Sequence, residues 1–218
     1  VLLSTAGVFL TAMGLGIFSH FALRLGWMES MLIGAVLSST DAASVFSILR
    51  SRKLSLKYGT ASLLEVESGS NDPVAYLMTT ILLTMMTTEI SPGRIVYMIF
   101  AQIAYGIVIG AALALAIGFF LRRFRFETSG FDMVFMLATA ILAYVLPCLI
   151  GGNGYLSAYI AGIILGNLKI PNKKKQVHFF DGITSLMQLM VFFLLGLLCT
   201  PSRMLSVALP ALLIAVFL

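Results

Sequence analysis

Charged residues are scarce in this 218-residue chain: they make up 11% of it, whereas 60% of the residues are hydrophobic. A soluble domain usually has about 25% charged and about 45–50% apolar residues. Because the apolar excess is spread along nearly the whole length, the composition excludes a soluble domain that carries one membrane anchor. It indicates an all-α polytopic membrane protein.

Cysteine is also rare, with Cys148 and Cys199 alone. Their spacing fits no metal motif, so we expect two thiols buried in apolar space. The N-terminus lacks the pattern of a cleavable signal peptide. The chain starts without methionine and stops within an apolar run, so we expect a piece of a longer protein, cut at both ends.

Eight apolar segments follow one another, and most have the ~20 residues that a helix needs to span a bilayer. They cover about residues 1–22, 28–49, 59–87, 94–121, 131–150, 153–168, 178–199 and 204 onward. The third is so long that tilt or a kink is expected. The glycine pairs Gly106/Gly110 and Gly162/Gly166 favour close approach of neighbouring helices.

Lysine and arginine are nearly missing from every second loop. Eleven of the fourteen lie in three loops, 50–57, 122–130 and 169–178. The positive-inside rule places these loops in the cytoplasm and indicates a multi-pass protein of the plasma or inner membrane. Topology thus explains the basic residues, and nucleic acid is not an expected partner; binding of nucleic acid or anionic lipid is the alternative explanation.

Acidic residues are few, nine in all, yet four of them fall inside apolar segments. These four are Asp41, Glu65, Glu67 and Asp72. An ionisable group at the bilayer centre costs about 2.5–3.5 kcal/mol on insertion scales, so such groups face a cavity or a partner and usually serve function. Because no lysine or arginine lies deep in a segment, a proton, a bound metal cation or a basic residue elsewhere must neutralise them.

Asp41 and Asp72 reach similar depths from opposite sides of the membrane. Each lies 13 residues into its segment, counted from Met28 and Gly59, which is ~20 Å along a helix. Two carboxylates on consecutive antiparallel segments can therefore meet near mid-membrane. The run from Ser38 to Asp41 consists of helix-capping residue types. It predicts a broken helix with free oxygens that suit Na⁺ or K⁺, the alternative being a continuous helix with back-bonded hydroxyls.

Helical spacing sorts the polar residues of the third segment. Glu65, Ser68 and Asp72 share one face, and Glu67 and Asn71 share another. Both glutamates lie about 9–12 Å from the cytoplasmic end, so one of them could snorkel towards water or pair with a lysine.

A proline follows Asp72 directly. Pro73 has no amide hydrogen, so the carbonyl of Gly69 loses its helical partner. A kink is therefore predicted beside the mid-membrane acid.

Three stretches resemble the monovalent cation:proton antiporters of the sodium/proton exchanger superfamily, in the branch with Asn-Asp in the ion-site helix. They are SSTDAASVF (38–46), ESGSND (67–72) and GYLSAYIAGIILGN (154–167). The resemblance covers essentially the whole chain. It implies a cofactor-free transporter, not an enzyme, in which a proton competes with Na⁺ or K⁺ for one aspartate in the service of pH homeostasis. It also implies an inverted-repeat fold with broken helices, in which 1–87 ends the first repeat, 94–121 is a linker helix and 131–218 belongs to the second.

The resemblance assigns roles to individual residues. Asp72 corresponds to the carboxylate that alternately binds proton and metal cation. The residues implied at the ion or proton site are Asp72, Asp41, Asn71, Thr40 and Ser68. Glu67 matches a structural buried acid that is paired with an arginine on a later helix, and that arginine is expected beyond Leu218. Glu65 either lies along the ion access route or snorkels towards water.

One departure from the family pattern leaves the cation open. Thr40-Asp41-Ala42 replaces the more common Thr-Asp-Pro and looks closer to the potassium/proton-exchanging subgroup. Family members are often dimers, so a homodimer in the lipid bilayer is expected. Two other functions are weighed: a cation channel lined by the same oxygens, and an intramembrane aspartyl protease in which Asp41 and Asp72 share a proton and activate water.

Overall fold

The computed structural model describes residues 2–40, 60–124, 126 and 130–218, except for the side chains of residues 62, 65 and 203. The regular secondary structure of this part of the chain is helical throughout, which confirms the all-α prediction. Its eight helices are α1 (Leu3–Leu23, opening with π-helical turns at Leu3–Gly7), α2 (Trp27–Leu37), α3 (Thr60–Thr87), α4 (Pro92–Arg123), α5 (Phe131–Cys148), α6 (Gly154–Asn167), α7 (Lys173–Leu198) and α8 (Pro201–Phe217).

Four of the described helices, α1, α4, α5 and α7, are long and apolar enough to cross a bilayer. Two predicted loops are shorter than expected, because α4 continues to Arg123 and α7 begins at Lys173. The backbone hydrogen bonds of a helix can continue past the end of its apolar segment, so the helix can include residues whose side chains prefer water. Apolar run length therefore locates a spanning helix better than it locates its ends.

The helices pack as two groups that meet at α3. The helices α1, α2 and α3 contact one another, and α4, α5 and α6 form a second set of mutual contacts. Helix α3 also contacts α4 and α6. Helix α7 packs on α5, and α8 packs on α1. Helix α3 therefore lies at the boundary between the two groups.

Glycines allow the closest helix contacts. A Cβ added at Gly34 of α2 would lie 2.1 Å from the carbonyl oxygen of Ala12 in α1, and one at Gly110 of α4 would lie 2.4 Å from that of Ser157 in α6. The expected close packing at Gly106/Gly110 is thus confirmed. At Gly162 and Gly166 no described atom lies within 4 Å of an added Cβ, so within the described part of the chain the close approach that this pair permits does not occur. These two glycines line a cavity of about 300 Å³ between α5, α6 and α7.

Both cysteines are exposed, so the prediction of buried thiols is wrong. Helix α5 buries one stripe, Met136, Thr139, Ala143 and Pro147, and Cys148 lies outside it. Cys199 follows α7, whose only buried residue in the described structure is Gln176. In a membrane protein an apolar side chain can face lipid as well as protein, so hydrophobic character alone does not predict burial.

Candidate ion site

Helix α2 ends at Leu37, twelve residues before the end of the second predicted segment at residue 49. The Ser38 hydroxyl donates back to the carbonyl of Ala35 at 2.8 Å, and Ser39 and Thr40 have left the helix. The capping-type residues therefore end the helix where the sequence predicts a break, because their hydroxyls compete for backbone groups. Asp41, the last residue of that run, lies outside the described residues.

Helix α3 passes through Pro73 without interruption from Thr60 to Thr87. Pro73 is buried, and its carbonyl oxygen accepts a hydrogen bond from the side-chain amide of Asn153 at 3.0 Å. This bond is made to the carbonyl of Pro73 itself and not to that of Gly69, which is the group that the missing amide hydrogen frees. The proline thus leaves one continuous helix that carries the polar groups of the site.

Asn71 is fully buried and connects α3 to the chain that follows α2. Its amide nitrogen donates to the hydroxyl of Thr40 at 2.8 Å. The same nitrogen lies 3.3 Å from the carbonyl oxygen of Thr40 and 3.4 Å from Oε1 of Glu67. An amide has two hydrogens, so Asn71 can hold Thr40 and the half-buried Glu67 at the same time.

Asp72 is exposed and receives a hydrogen bond from the hydroxyl of Ser39. The Ser39 oxygen also lies 3.1 Å from Oδ1 of Asn71, so its single hydrogen has two acceptors within reach. The hydroxyl of Ser68 donates to the carbonyl of Thr40 at 2.9 Å. Hydrogen bonds between hydroxyl, carbonyl, carboxylate and amide groups therefore link the end of α2 to the middle of α3.

The structure brings together Thr40, Ser68, Asn71 and Asp72, with Glu67 beside Asn71. Their function as ion or proton ligands stays a prediction. Glu65 belongs to α3, but its side chain is not among the described ones. No cluster of three His, Cys, Asp or Glu side chains is found among the described residues. The described oxygens at this site belong to hydroxyl, carbonyl and amide groups, to the carboxylate of Asp72 and, beside Asn71, to that of Glu67.

Two contacts were missed by sequence reasoning. Ser39 was seen as a helix breaker and not as a partner of Asp72, although its place in the capping-type run next to Thr40 was a usable signal. Asn153 stands where an N-cap is expected, directly before the first residue of α6, and its contact with Pro73 has no sequence signal.

The oxygens of this arrangement are of the kinds that bind monovalent cations. Hydroxyl and carbonyl oxygens at a helix break can replace part of the hydration shell of Na⁺ or K⁺. A carboxylate among them can balance the charge of the cation, or it can take up a proton instead.

Comparison with known proteins identifies the family. The profile described as "Sodium/hydrogen exchanger, transmembrane" matches residues 1–218. The chain belongs to the sodium/hydrogen exchanger family. It is 36% identical over 218 residues to the K(+)/H(+) antiporter NhaP of Alkalimonas amylolytica, which is 98% of this chain and 37% of that protein. It is 33% identical over 219 residues to the K(+)/H(+) antiporter NhaP2 of Shewanella oneidensis, again covering 98% and 37%.

The fold of this sodium/hydrogen exchanger family member is also that of a solved antiporter. The structure of the sodium proton antiporter MjNhaP1 from Methanocaldococcus jannaschii at pH 8 superposes with a TM-score of 0.86 at 24% identity. The match covers 99% of this chain and 55% of that one. The predicted antiporter fold is confirmed. The chain spans 37% of the length of the two curated relatives named above.

Proposed function

We propose that the protein to which this chain belongs exchanges Na⁺ or K⁺ for protons across the membrane, with Asp72 as the group for which they compete. One observation carries the proposal: a carboxylate on α3 is hydrogen-bonded by Ser39 at the point where α2 stops being helical. Oxygens of Thr40 and Ser68 meet at the same junction. Membership of the sodium/hydrogen exchanger family supports exchange over a passive channel or a protease.

Competition follows from the chemistry of a carboxylate. Its negative charge attracts a cation only while it is ionised, and protonation removes that charge. A bound cation in turn favours the ionised form and disfavours the proton. If the site opens to one side of the membrane at a time, each cation that leaves makes room for a proton that travels the other way.

If one carboxylate carries one cation across the membrane in one direction and one proton in the other, the exchange is one-for-one and electroneutral. Asp41, which precedes α3 in the chain and lies outside the described residues, is proposed to line the same site. If it also releases a proton when the cation binds, more than one proton is exchanged for each cation and the stoichiometry changes. Glu67 is proposed as a structural acid that a basic residue from the rest of the protein neutralises.

K⁺ is the first cation to test. Both curated relatives named above are called K(+)/H(+) antiporters, whereas the solved structure is of a sodium proton antiporter. The sequence Thr40-Asp41-Ala42 favours the same choice. We further propose that the protein is a homodimer in the plasma or inner membrane. Loops 50–57, 122–130 and 169–178 would then face the cytoplasm, and residues 1–87 and 131–218 would belong to two inverted repeats.

The test is exchange by the full-length protein in liposomes. An acid-inside pH gradient is imposed and followed with a pH-sensitive dye, and K⁺ or Na⁺ is then added outside. Exchange predicts that one of the cations dissipates the gradient. A gradient that neither cation dissipates would exclude antiport, and a cation conductance without proton movement would identify a channel.

A further inference from the structure

The contact between α3 and α6 centres on Asn153, which is 1% exposed. Its side-chain nitrogen donates to the carbonyl of Pro73 at 3.0 Å, and its side-chain oxygen accepts from the amide of Leu156 at 3.0 Å. Its backbone nitrogen donates to the carbonyl of Gln102 in α4 at 3.1 Å, and its backbone carbonyl accepts from Ser157 at 3.1 Å. Asn153 therefore connects three helices, and each of its polar groups has a partner.

The two ends of this side chain have separable functions. The oxygen caps the first turn of α6, which serine or aspartate at the same position can also do. The nitrogen reaches across to α3, and neither of those side chains supplies an equivalent donor. The turn that carries Asn153 is itself anchored, because the backbone nitrogen of Gly152 donates to the carbonyl of Pro147 at 2.7 Å.

Helix α3 uses one side for α6 and another for the candidate ion site. Val66, Gly69, Pro73 and Tyr76 form the side that meets α6. The hydroxyl of Tyr159 donates to the carbonyl of Val66 at 3.4 Å, and the rings of Tyr76 and Tyr155 lie 4.8 Å apart. A Cβ added at Gly69 would lie 3.1 Å from the ring of Tyr159.

The candidate ligands Ser68, Asn71 and Asp72 point away from this contact, towards the end of α2. Asp72 immediately precedes Pro73, so the bond from Asn153 holds the backbone next to the exchanging carboxylate. At a site where ligands must be placed within a fraction of an ångström, such support affects binding.

We propose that Asn153 is a positioning residue: its bond to the Pro73 carbonyl fixes the height and rotation of α3 that place the Asp72 carboxylate for cation binding. The inference rests on the proposed exchange at Asp72. It extends the ion site beyond α2 and α3 to a residue that sits in the turn between α5 and α6.

The test compares Asn153→Ser with Asn167→Ser in the full-length protein. Serine at 153 keeps the cap of α6 and loses the donor to Pro73. Asn167 is exposed at the other end of α6, and its amide donates to the carbonyl of Ile163 within the same helix at 2.8 Å. For each variant, the cation concentration at half-maximal exchange and the maximal rate are measured in liposomes, and the melting temperature is measured in detergent with and without K⁺ and Na⁺.

We expect Asn153→Ser to raise the half-maximal cation concentration about five-fold, the usual effect of one lost hydrogen bond, and to reduce stabilisation by the cation. Asn167→Ser should have the half-maximal cation concentration of the wild type and the same stabilisation by the cation. If Asn153→Ser lowers the melting temperature without cation but keeps the wild-type half-maximal concentration, the residue is only structural and the proposal is overturned.

Two further outcomes are covered. If Asn153→Ser does not fold, Asn153→Thr keeps a side chain of similar volume and the cap acceptor while removing the amide donor, and the same rise is expected. A wild-type half-maximal concentration in that variant overturns the proposal. If the wild-type protein shows neither exchange nor stabilisation by K⁺ or Na⁺, the proposed exchange at Asp72 fails, and the role of Asn153 in it fails too. If the wild-type protein exchanges cations and the Asn153 variants have the same half-maximal cation concentration, only the proposed role of Asn153 is overturned.

Discussion

Asn71 donates through its side-chain amide to the hydroxyl of Thr40 at 2.8 Å, although the two residues are 31 positions apart. The bond fixes the non-helical residues after α2 against the middle of α3. Asn71 is fully buried, and loss of this bond would leave its amide nitrogen only the longer contacts to the Thr40 carbonyl and to Glu67. The pair therefore sets the distance between the two segments that carry the candidate ligands.

Asp72→Asn should abolish exchange while the protein still inserts and folds. An amide has nearly the size of the carboxylate, but it carries no charge for the cation and takes up no proton near neutral pH. Exchange is measured as cation-dependent loss of a pH gradient in liposomes. Wild-type activity in this variant would remove Asp72 from the mechanism.

Asp132→Asn is the matched control for that change. Asp132 lies in the first turn of α5 and accepts a hydrogen bond from Asn172 at 3.3 Å, away from α3. The control should exchange like the wild type, and both variants should elute as folded protein from a size-exclusion column.

Ser39→Ala should weaken cation binding and keep the protein folded. The hydroxyl of Ser39 donates to the carboxylate of Asp72, and a hydrogen bond to a charged group contributes roughly 1.5–3 kcal/mol. We expect the cation concentration at half-maximal exchange to rise roughly ten-fold or more. Ser38→Ala is the control, because the Ser38 hydroxyl donates only to the carbonyl of Ala35 among its described partners. Equal effects of the two substitutions would argue against a specific contribution of Ser39.

Gly110→Ala should destabilise the packing of α4 on α6. The added Cβ would lie 2.4 Å from the carbonyl oxygen of Ser157, and a backbone atom cannot move aside as a flexible side chain does. Overpacking of this kind typically costs about 1–3 kcal/mol. Thermal unfolding in detergent should show a melting temperature several degrees lower. Gly162→Ala places its Cβ where no described atom lies within 4 Å, so its melting temperature should equal that of the wild type. If Gly162→Ala lowered the melting temperature more than Gly110→Ala, the close contact between α4 and α6 would be misassigned.

Exchange should be electroneutral. If Asp72 alone changes partner, each cycle moves one positive charge each way, and no net charge crosses the membrane. A membrane potential imposed with a thiocyanate gradient should then leave the exchange rate unchanged at a fixed pH gradient. A rate that follows the sign of the potential would show that net charge crosses the membrane in each cycle, as it does when a second group, with Asp41 the first candidate, also binds and releases a proton.

Part of this molecule could be predicted from local sequence. Helices follow from apolar runs, and the end of α2 follows from the hydroxyl-rich run that begins at Ser38, because both depend on residues that are neighbours in the chain. The meeting of Asp72 with residues near Thr40 was also predictable, since two antiparallel segments fix the depth of each position.

Contacts between distant helices were not predictable in the same way. A glycine allows close approach but does not say which partner comes near, so Gly110 packs tightly whereas Gly162 does not. Cys148 is exposed because a lipid-facing side chain and a buried one can have the same composition. Asn153 reaches Pro73 across 80 positions of sequence, and nothing local to either residue indicates that contact.

The residues of the site on α3 are close enough in sequence for their contacts to form while the protein is still being synthesised. The described partners of Asp72 and Asn71 lie between Ser39 and Glu67, so all of them have been synthesised by the time α3 is complete. Loops of about 30 residues close at modest entropic cost. These polar groups can therefore satisfy one another before α6 is synthesised, and α6 then docks, through Asn153, on a helix pair that is already joined.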